Sequence, residues 1–221
     1  MSTDEKSHNF QDIAENVFAP IYPVIASHII DSSGIKKGIC LDLGCGIASL
    51  GIAIAEQTDL IVYAVDISEK MYELSTEKAS RHSVSDRIKS VLADVHKLPF
   101  GDGFANLVVS RGSVFFWDDL PVAFREISRV LVFGGEAWIG GGFGTAELRQ
   151  QINEIMISRD PDWQEDSKKR LSPENKQAIQ NACSKTGLPY RVVNDDSGFW
   201  VVLNKGESKK EELKCNAIYV S

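Results

Sequence analysis

Three acids and two glycines occupy the positions in this chain from which chemistry can be read. The stretch Leu41-Asp42-Leu43-Gly44-Cys45-Gly46-Ile47-Ala48 puts glycines where an apolar strand would turn into a helix. Glycines there let a ligand approach the backbone closely, although a tight turn that simply needs flexible residues explains a lone Gly-x-Gly equally well. Asp66 lies 20 residues beyond Gly46, the separation at which an acid on the next strand can accept hydrogen bonds from both ribose hydroxyls. The same residue would also serve as a cap for the helix that follows. Asp94 closes a third apolar run, where a short carboxylate can reach an exocyclic adenine amine while the backbone of Val95 meets the ring edge. In an open parallel sheet these strand ends share one rim, and ligands bind at that rim.

Asp42 separates the ligands such a rim could take. A dinucleotide lays its pyrophosphate against the glycine turn, where a carboxylate two residues before Gly44 would repel it, and Ser49 stands where a third fingerprint glycine belongs. S-adenosylmethionine brings an ammonium and a sulfonium, which an acid attracts. Electrostatics therefore favours the methyl donor. An NAD-dependent oxidoreductase, for which the chain has no evident Tyr-x-x-x-Lys pair, is the runner-up, and a non-catalytic binder of S-adenosylmethionine is a further alternative.

On the acceptor side, Arg111, Ser113, Phe115, Phe116 and Trp117 follow the fourth strand and open on the same rim. The aromatic trio would stack a planar acceptor or fence a sulfonium, or else fill core. His96 and His28 are the histidines expected nearest the pocket and, with Tyr22, the candidates for a base or lid contact. Each has a plain alternative, a surface or packed position. No metal site is expected: Cys40, Cys45, Cys183 and Cys215 lack C-x-x-C spacing and read as free thiols.

The elements that must position these residues alternate. Strands are expected over 38–43, 60–65, 88–92, 105–110 and 136–140, with helices over 48–57, 68–81 and 120–131, the last ended by Gly134-Gly135. Residues 10–30 carry apolar positions at helical spacing, interrupted by Pro20 and Pro23. Beyond Gly144 the pattern predicts a helix over 145–158, a polar loop over 160–166 and a helix over 173–185. Strands over 190–194 and 198–204 follow, joined by Asp195-Asp196-Ser197. The chain reads as one domain: a helical lid (1–35) covering the acceptor, a cofactor-binding core (36–144), a helical insertion (145–188), a closing hairpin (189–205) and a charged tail (206–221).

At 221 residues and 43% hydrophobic content the chain can bury a sizeable core. Its net charge of −7 disfavours a protein that tracks nucleic-acid phosphates or an anionic membrane surface. No apolar run approaches the roughly 20 residues of a membrane span, and residues 1–9 are polar, so a cytoplasmic location is expected.

As a set, these motifs resemble the class I S-adenosylmethionine-dependent methyltransferases, in the small-molecule branch similar to ubiquinone and menaquinone biosynthesis methyltransferases. The matching residues are Leu41 to Gly46, Val65-Asp66-Ile67-Ser68 with Met71, Ala93-Asp94-Val95-His96-Lys97-Leu98-Pro99-Phe100, Phe104 to Ser110, and Glu126-Ile127-Ser128-Arg129-Val130-Leu131 running into Gly134-Gly135. The resemblance covers about residues 38–140. It implies a Rossmann-like, doubly wound α/β fold with a seven-stranded, mostly parallel sheet, helices on both faces and an antiparallel closing strand. It implies S-adenosylmethionine as cofactor, with Met71 against the adenine, Asp66 on the ribose and Gly44 and Gly46 admitting the methionine part. The expected cofactor set is Asp42, Gly44, Cys45, Gly46, Asp66, Ile67, Met71, Ala93, Asp94, Val95 and Arg111, and the acceptor set is Tyr22, Ser113, Phe116 and Trp117. Ala48 stands in place of the branch's usual third glycine, and Phe10 near its N-terminal tyrosine.

Overall fold

A computed structural model describes residues 11–195 and 198–206. Its centre is a seven-stranded sheet in the order β3-β2-β1-β4-β5-β7-β6, formed by β1 (Lys37–Leu43), β2 (Asp59–Asp66), β3 (Ile88–Leu92), β4 (Ala105–Arg111), β5 (Leu131–Gly142), β6 (Tyr190–Asp195) and β7 (Gly198–Asn204). The first five strands are mutually parallel, and β7 runs antiparallel between β5 and β6. Strand order reverses between β1 and β4, so the crevice for a ligand opens above their carboxyl ends.

The central strands are apolar on both faces because helices cover both, and Cys40, Leu41, Leu43, Leu107, Val108 and Val109 are fully buried. One layer of core lies beneath α1 (Ile21–Ser33), α2 (Ser49–Gln57) and α3 (Glu69–Ser80). The other lies beneath α4 (Leu120–Val130) and α7 (Pro173–Ser184). α5 (Ala146–Arg159) and α6 (Trp163–Arg170) form the insertion over the crevice. A five-residue π-helical turn, Ile13–Val17, precedes α1.

Four expectations change. Pro23 does not interrupt α1, because it sits in the first turn, where no intrahelical amide partner is lost. α4 ends at Val130, and Gly134 and Gly135 belong to β5, where a Cβ on Gly135 would come within 2.9 Å of the Asn106 carbonyl. The expected polar loop over 160–166 gives way at Trp163 to α6, which buries no residue and so shows no apolar period. Finally, α1 puts Ile21, Ile25, Ala26, Ile29 and Ile30 into the core, so any lid motion belongs to the segment ahead of Ile21. Asp196, Ser197, Phe10, Cys215 and the tail beyond Gly206 lie outside the described residues.

Candidate functional site

The carboxyl ends of β1 to β4 open into a cavity of about 1280 Å³. Every residue of the expected cofactor set lines it, from Asp42 through Arg111, and so do Tyr22, Ser113, Phe115, Phe116, Trp117 and His96. His28 does not. It is exposed on α1, off the face that carries Ile21, Ile25 and Ile29, and the expectation of a pocket role for it is corrected.

The glycine turn is held from both sides. Gly44 and Gly46 have φ of 62° and 55°, and a Cβ on Gly44 would meet Ser113 Cβ at 2.3 Å, so only glycine fits there. Asp66 Oδ2 accepts the Gly46 amide at 2.9 Å, and its Oδ1 accepts that of Ser68 at 3.0 Å. The cap of α3 is the Ser68 hydroxyl, which accepts from Met71 N, so Asp66 ties the β1 turn to the end of β2 rather than capping the helix. Each carboxylate oxygen keeps a further lone pair for a ligand hydroxyl.

Asp42 is 2% exposed, and its Oδ2 accepts from Gly51 N at 2.9 Å. Burial pushes its carboxyl up to about 7, with the Gly51 amide opposing and the Asp66 charge adding to the rise. Burial likewise raises Asp66, against the amides of Ser68 and Gly46. Among the described residues no Lys, Arg or His forms an ion pair with either acid. Two neighbouring acids without a cation fit a ligand that brings positive charge, and the glycine turn leaves backbone room for it. Burial raises the Cys45 thiol well above its usual range, so it lines the cavity as a neutral group.

His96 is spoken for at both nitrogens. Its Nε2 lies 3.2 Å from the amide of Asp119, and an amide can only donate, so Nε2 accepts. Nδ1 then carries the proton it shares with Asp94 Oδ1 at 2.6 Å, and the same oxygen accepts the His96 amide at 2.9 Å. These amide and side-chain hydrogen bonds hold Asp94 below the ordinary carboxylate range, against a small effect of burial. His96 positions Asp94 and links β3 to the start of α4.

Above β4 the wall is built from side chains. Ser113 Oγ donates to the Leu43 carbonyl at 2.9 Å and therefore accepts from Ser110 Oγ at 2.6 Å, which makes it a clamp beneath the glycine turn. Phe116 is 69% exposed and Trp117 meets Phe124 edge-on, 6.4 Å between centroids. Arg111 donates from Nε to the Gly142 carbonyl at 3.0 Å and stands over the rings of Phe18, Tyr22 and Phe143. Burial raises the Tyr22 hydroxyl, with the Arg111 guanidinium opposing, so Tyr22 is a neutral phenol whose oxygen accepts from Arg111 and which also hydrogen-bonds Ser49.

Sequence reasoning did not find Ile13, Ala14, Phe18, Phe143, Trp163, Arg170 or Lys176, all of which line the cavity. For α6 a signal existed: Glu165 and Asp166 in the first turn and Lys168, Lys169 and Arg170 in the last follow the helix dipole. Ala48 has φ of 62°, the left-handed conformation that the missing third glycine would adopt freely.

A family profile described as "Methyltransferase domain" matches residues 41–139. The solved structure of an assigned S-adenosyl-L-methionine-dependent methyltransferase from Methanococcus maripaludis is 43% identical, with a TM-score of 0.89 over 93% of this chain and 94% of that one. Curated relatives include sterol 4-C-methyltransferase strm-1 of Caenorhabditis elegans, 33% identical over 110 residues, 49% of this chain and 33% of its own length. Another is the 27-O-demethylrifamycin SV methyltransferase of Amycolatopsis mediterranei, 33% identical over 100 residues, 45% of this chain and 37% of its own length. The chain thus spans about a third of the length of these curated relatives, whose names point to a sterol and a rifamycin rather than to a quinone precursor. With its sequence likeness to the Methanococcus structure running nearly end to end, this chain belongs to the S-adenosyl-L-methionine-dependent methyltransferases.

Proposed function

We propose that this protein transfers a methyl group from S-adenosylmethionine to a small-molecule acceptor held in the same cavity. The observation that carries this reading is the pairing of an uncompensated acid cluster, Asp42 and Asp66, with the Gly44–Gly46 turn at the strand-order reversal. When bound, S-adenosylmethionine supplies a methyl already made electrophilic by its sulfonium, so the protein's task is orientation and exclusion of water. Asp66 would accept the ribose hydroxyls, Asp94 the adenine amine, and Ile67 and Met71 would face the adenine ring. Asp42 would complement the positive charge of the methionine part.

On the acceptor side Tyr22, Phe116, Trp117 and Arg111 would define the space in front of the methyl, with Ser113 supporting the turn beneath. No base is needed for a nucleophile that is already deprotonated or lone-paired, in keeping with His96 being engaged at both nitrogens. The segment ahead of Ile21, which brings Ile13, Ala14 and Phe18 to the cavity, would close over the acceptor. Hydrogen exchange in that segment should slow when cofactor and acceptor bind together. A net charge of −7 and the absence, among the described residues, of a helix long and apolar enough to cross a membrane support a cytoplasmic enzyme acting on a metabolite rather than a nucleic acid.

Calorimetry against S-adenosylmethionine, S-adenosylhomocysteine and NAD should find both adenosyl ligands bound and NAD not. Release of S-adenosylhomocysteine in a metabolite screen would then establish turnover. Binding with no release across the screen would favour the non-catalytic alternative, and NAD binding alone would overturn the proposal.

A further inference from the structure

The cavity has two charged ends of opposite sign. Asp42, Asp66 and Asp94 stand over β1, β2 and β3, whereas Arg111, Arg170 and Lys176 stand on the other side of the reversal, over β4 and the strands beyond it. The Arg111 guanidinium lies 4.9 Å from the centroid of Phe18, 5.5 Å from that of Tyr22 and 5.8 Å from that of Phe143. Phe18 packs 5.9 Å from Trp163, and the guanidinium of Arg170 covers the other ring of that pair, 5.4 Å from Trp163. Lys176 Nζ donates to Asn194 Oδ1 at 3.0 Å and lies 5.5 Å from the Phe199 ring.

Among the described residues no Asp or Glu forms an ion pair with Arg111, Arg170 or Lys176. Three of the acids that share this end have partners. Asp160 accepts the Asp162 amide, Asp166 lies 4.0 Å from Lys169, and Asp195 has a partner of its own. Asp118 also lines the cavity, on the loop that carries Trp117, and no ion pair joins it to these cations. In a chain of net charge −7, leaving these cations without carboxylates in a largely aromatic cavity is costly unless something else brings the anion.

We infer that the acceptor is a small organic acid whose oxyanion, a carboxylate or phosphate, sits between Arg111 and Arg170 while its apolar body packs among Phe18, Phe143 and Trp163. A guanidinium fork matches either oxyanion with two parallel N–H bonds, and the ring faces that flank it suit an aromatic or unsaturated body. The burial that lowers Arg111, reinforced by the nearby charge of Arg170, would be relieved by that anion. This assignment rests on the methyl-transfer reading of the cavity. Its competitor is that the same arginines hold the carboxylate of the cofactor.

The test uses three probes titrated into the protein already saturated with S-adenosylhomocysteine: 2-naphthoate, 2-naphthyl phosphate and the uncharged 2-naphthamide. At least one acid should bind tenfold or more tightly than the amide, and which one wins identifies carboxylate or phosphate as the natural group. R170Q should weaken the acid by tenfold or more while leaving S-adenosylhomocysteine affinity within twofold, and R170K should recover part of the loss. Amide binding equal to that of both acids, or no binding of any probe, would overturn the inference. So would an R170Q variant that loses cofactor affinity as steeply as acid affinity. Failure of the wild-type protein to bind S-adenosylhomocysteine would instead sink the methyl-transfer reading itself.

Discussion

The two ends of the cavity are made from different materials. At the cofactor end the groups that matter are fixed by the sheet: Asp42 is the last but one residue of β1, Asp66 closes β2, and Asp94 follows β3. Each carboxylate is clamped by backbone amides, of Gly51, of Gly46 and Ser68, and of His96. At the acceptor end Arg111, Phe18, Trp163, Arg170 and Lys176 come from a strand end, the segment ahead of α1, α6 and α7, and meet through ring faces rather than amides. A shared cofactor calls for one geometry, and backbone-built geometry tolerates little change. An acceptor peculiar to one enzyme calls for a surface that side chains can redraw.

That contrast is sharpest at Asp66. D66A removes the acceptor for two amides and the proposed ribose contact, and hydrogen bonds to a charged group contribute about 1.5–3 kcal/mol. S-adenosylhomocysteine binding should fall roughly ten- to a hundredfold by calorimetry, with some loss of Tm because the turn is also loosened. Loss of Tm alone, with cofactor affinity intact, would mean the acid serves only the fold.

Asp42 gives the next effect, and it is read through pH. Its folded-state value of about 7 lies above the ordinary carboxyl value of 3.8, so between those values the native protein holds a proton that the unfolded chain releases. Ligand-free stability from this group is therefore present at low pH and lost as pH rises through about 7. Between pH of about 8 and about 6 the gain is roughly 1 kcal/mol, or about 2–4 °C in Tm for a chain of this size. Affinity for cationic S-adenosylmethionine runs the other way, falling by up to about tenfold per pH unit below about 7, because the proton must leave. D42N should flatten both profiles, and profiles unchanged in D42N would remove Asp42 from the charge balance of the site.

How much of this was open to inspection in the chain follows from the same contrast. Gly44, Asp66 and Asp94 are legible because a parallel α/β sheet returns each strand to one rim, so positions close in space fall at regular distances in sequence. β3 runs over the expected residues 88–92, and the α3 cap falls at Ser68. The wall made by Phe18, Trp163 and Arg170 joins segments about 150 residues apart with no period to link them, so it appears only once the chain is folded. His28 failed for a related reason: helical spacing gives a face, but which flank of that face meets the pocket depends on packing.

His96 offers a finer probe. H96A breaks the Asp94–His96–Asp119 link and should lower stability by about 1 kcal/mol, with a severalfold loss of S-adenosylhomocysteine affinity through Asp94. A variant that binds cofactor and melts normally but has lost turnover would make His96 a base, and would move part of the chemistry to the cofactor end. The smallest effect is expected at Ala48. A48G would relieve a left-handed strain of roughly 1–2 kcal/mol. It would also lose a buried methyl, about 0.8 kcal/mol, and gain about 0.4–1 kcal/mol of unfolded-chain freedom. The net shift should stay within about 1 kcal/mol by denaturant melts, and a larger one would show that the turn is more rigid than its glycines imply.

The Ser113 hydroxyl reaches the Leu43 carbonyl across 70 residues of chain, and it lies where a Cβ on Gly44 would fall. The glycine turn is consequently complete only after β4 has docked beside β1, a non-local pairing whose loop-closure cost comes before its contacts form. A nascent chain that has emerged only as far as Asp94, just past β3, has all three acids but no finished cradle. Cofactor should therefore act as a brake on unfolding and leave the refolding rate nearly unchanged, so that in rapid-mixing experiments with S-adenosylhomocysteine only the unfolding limb moves.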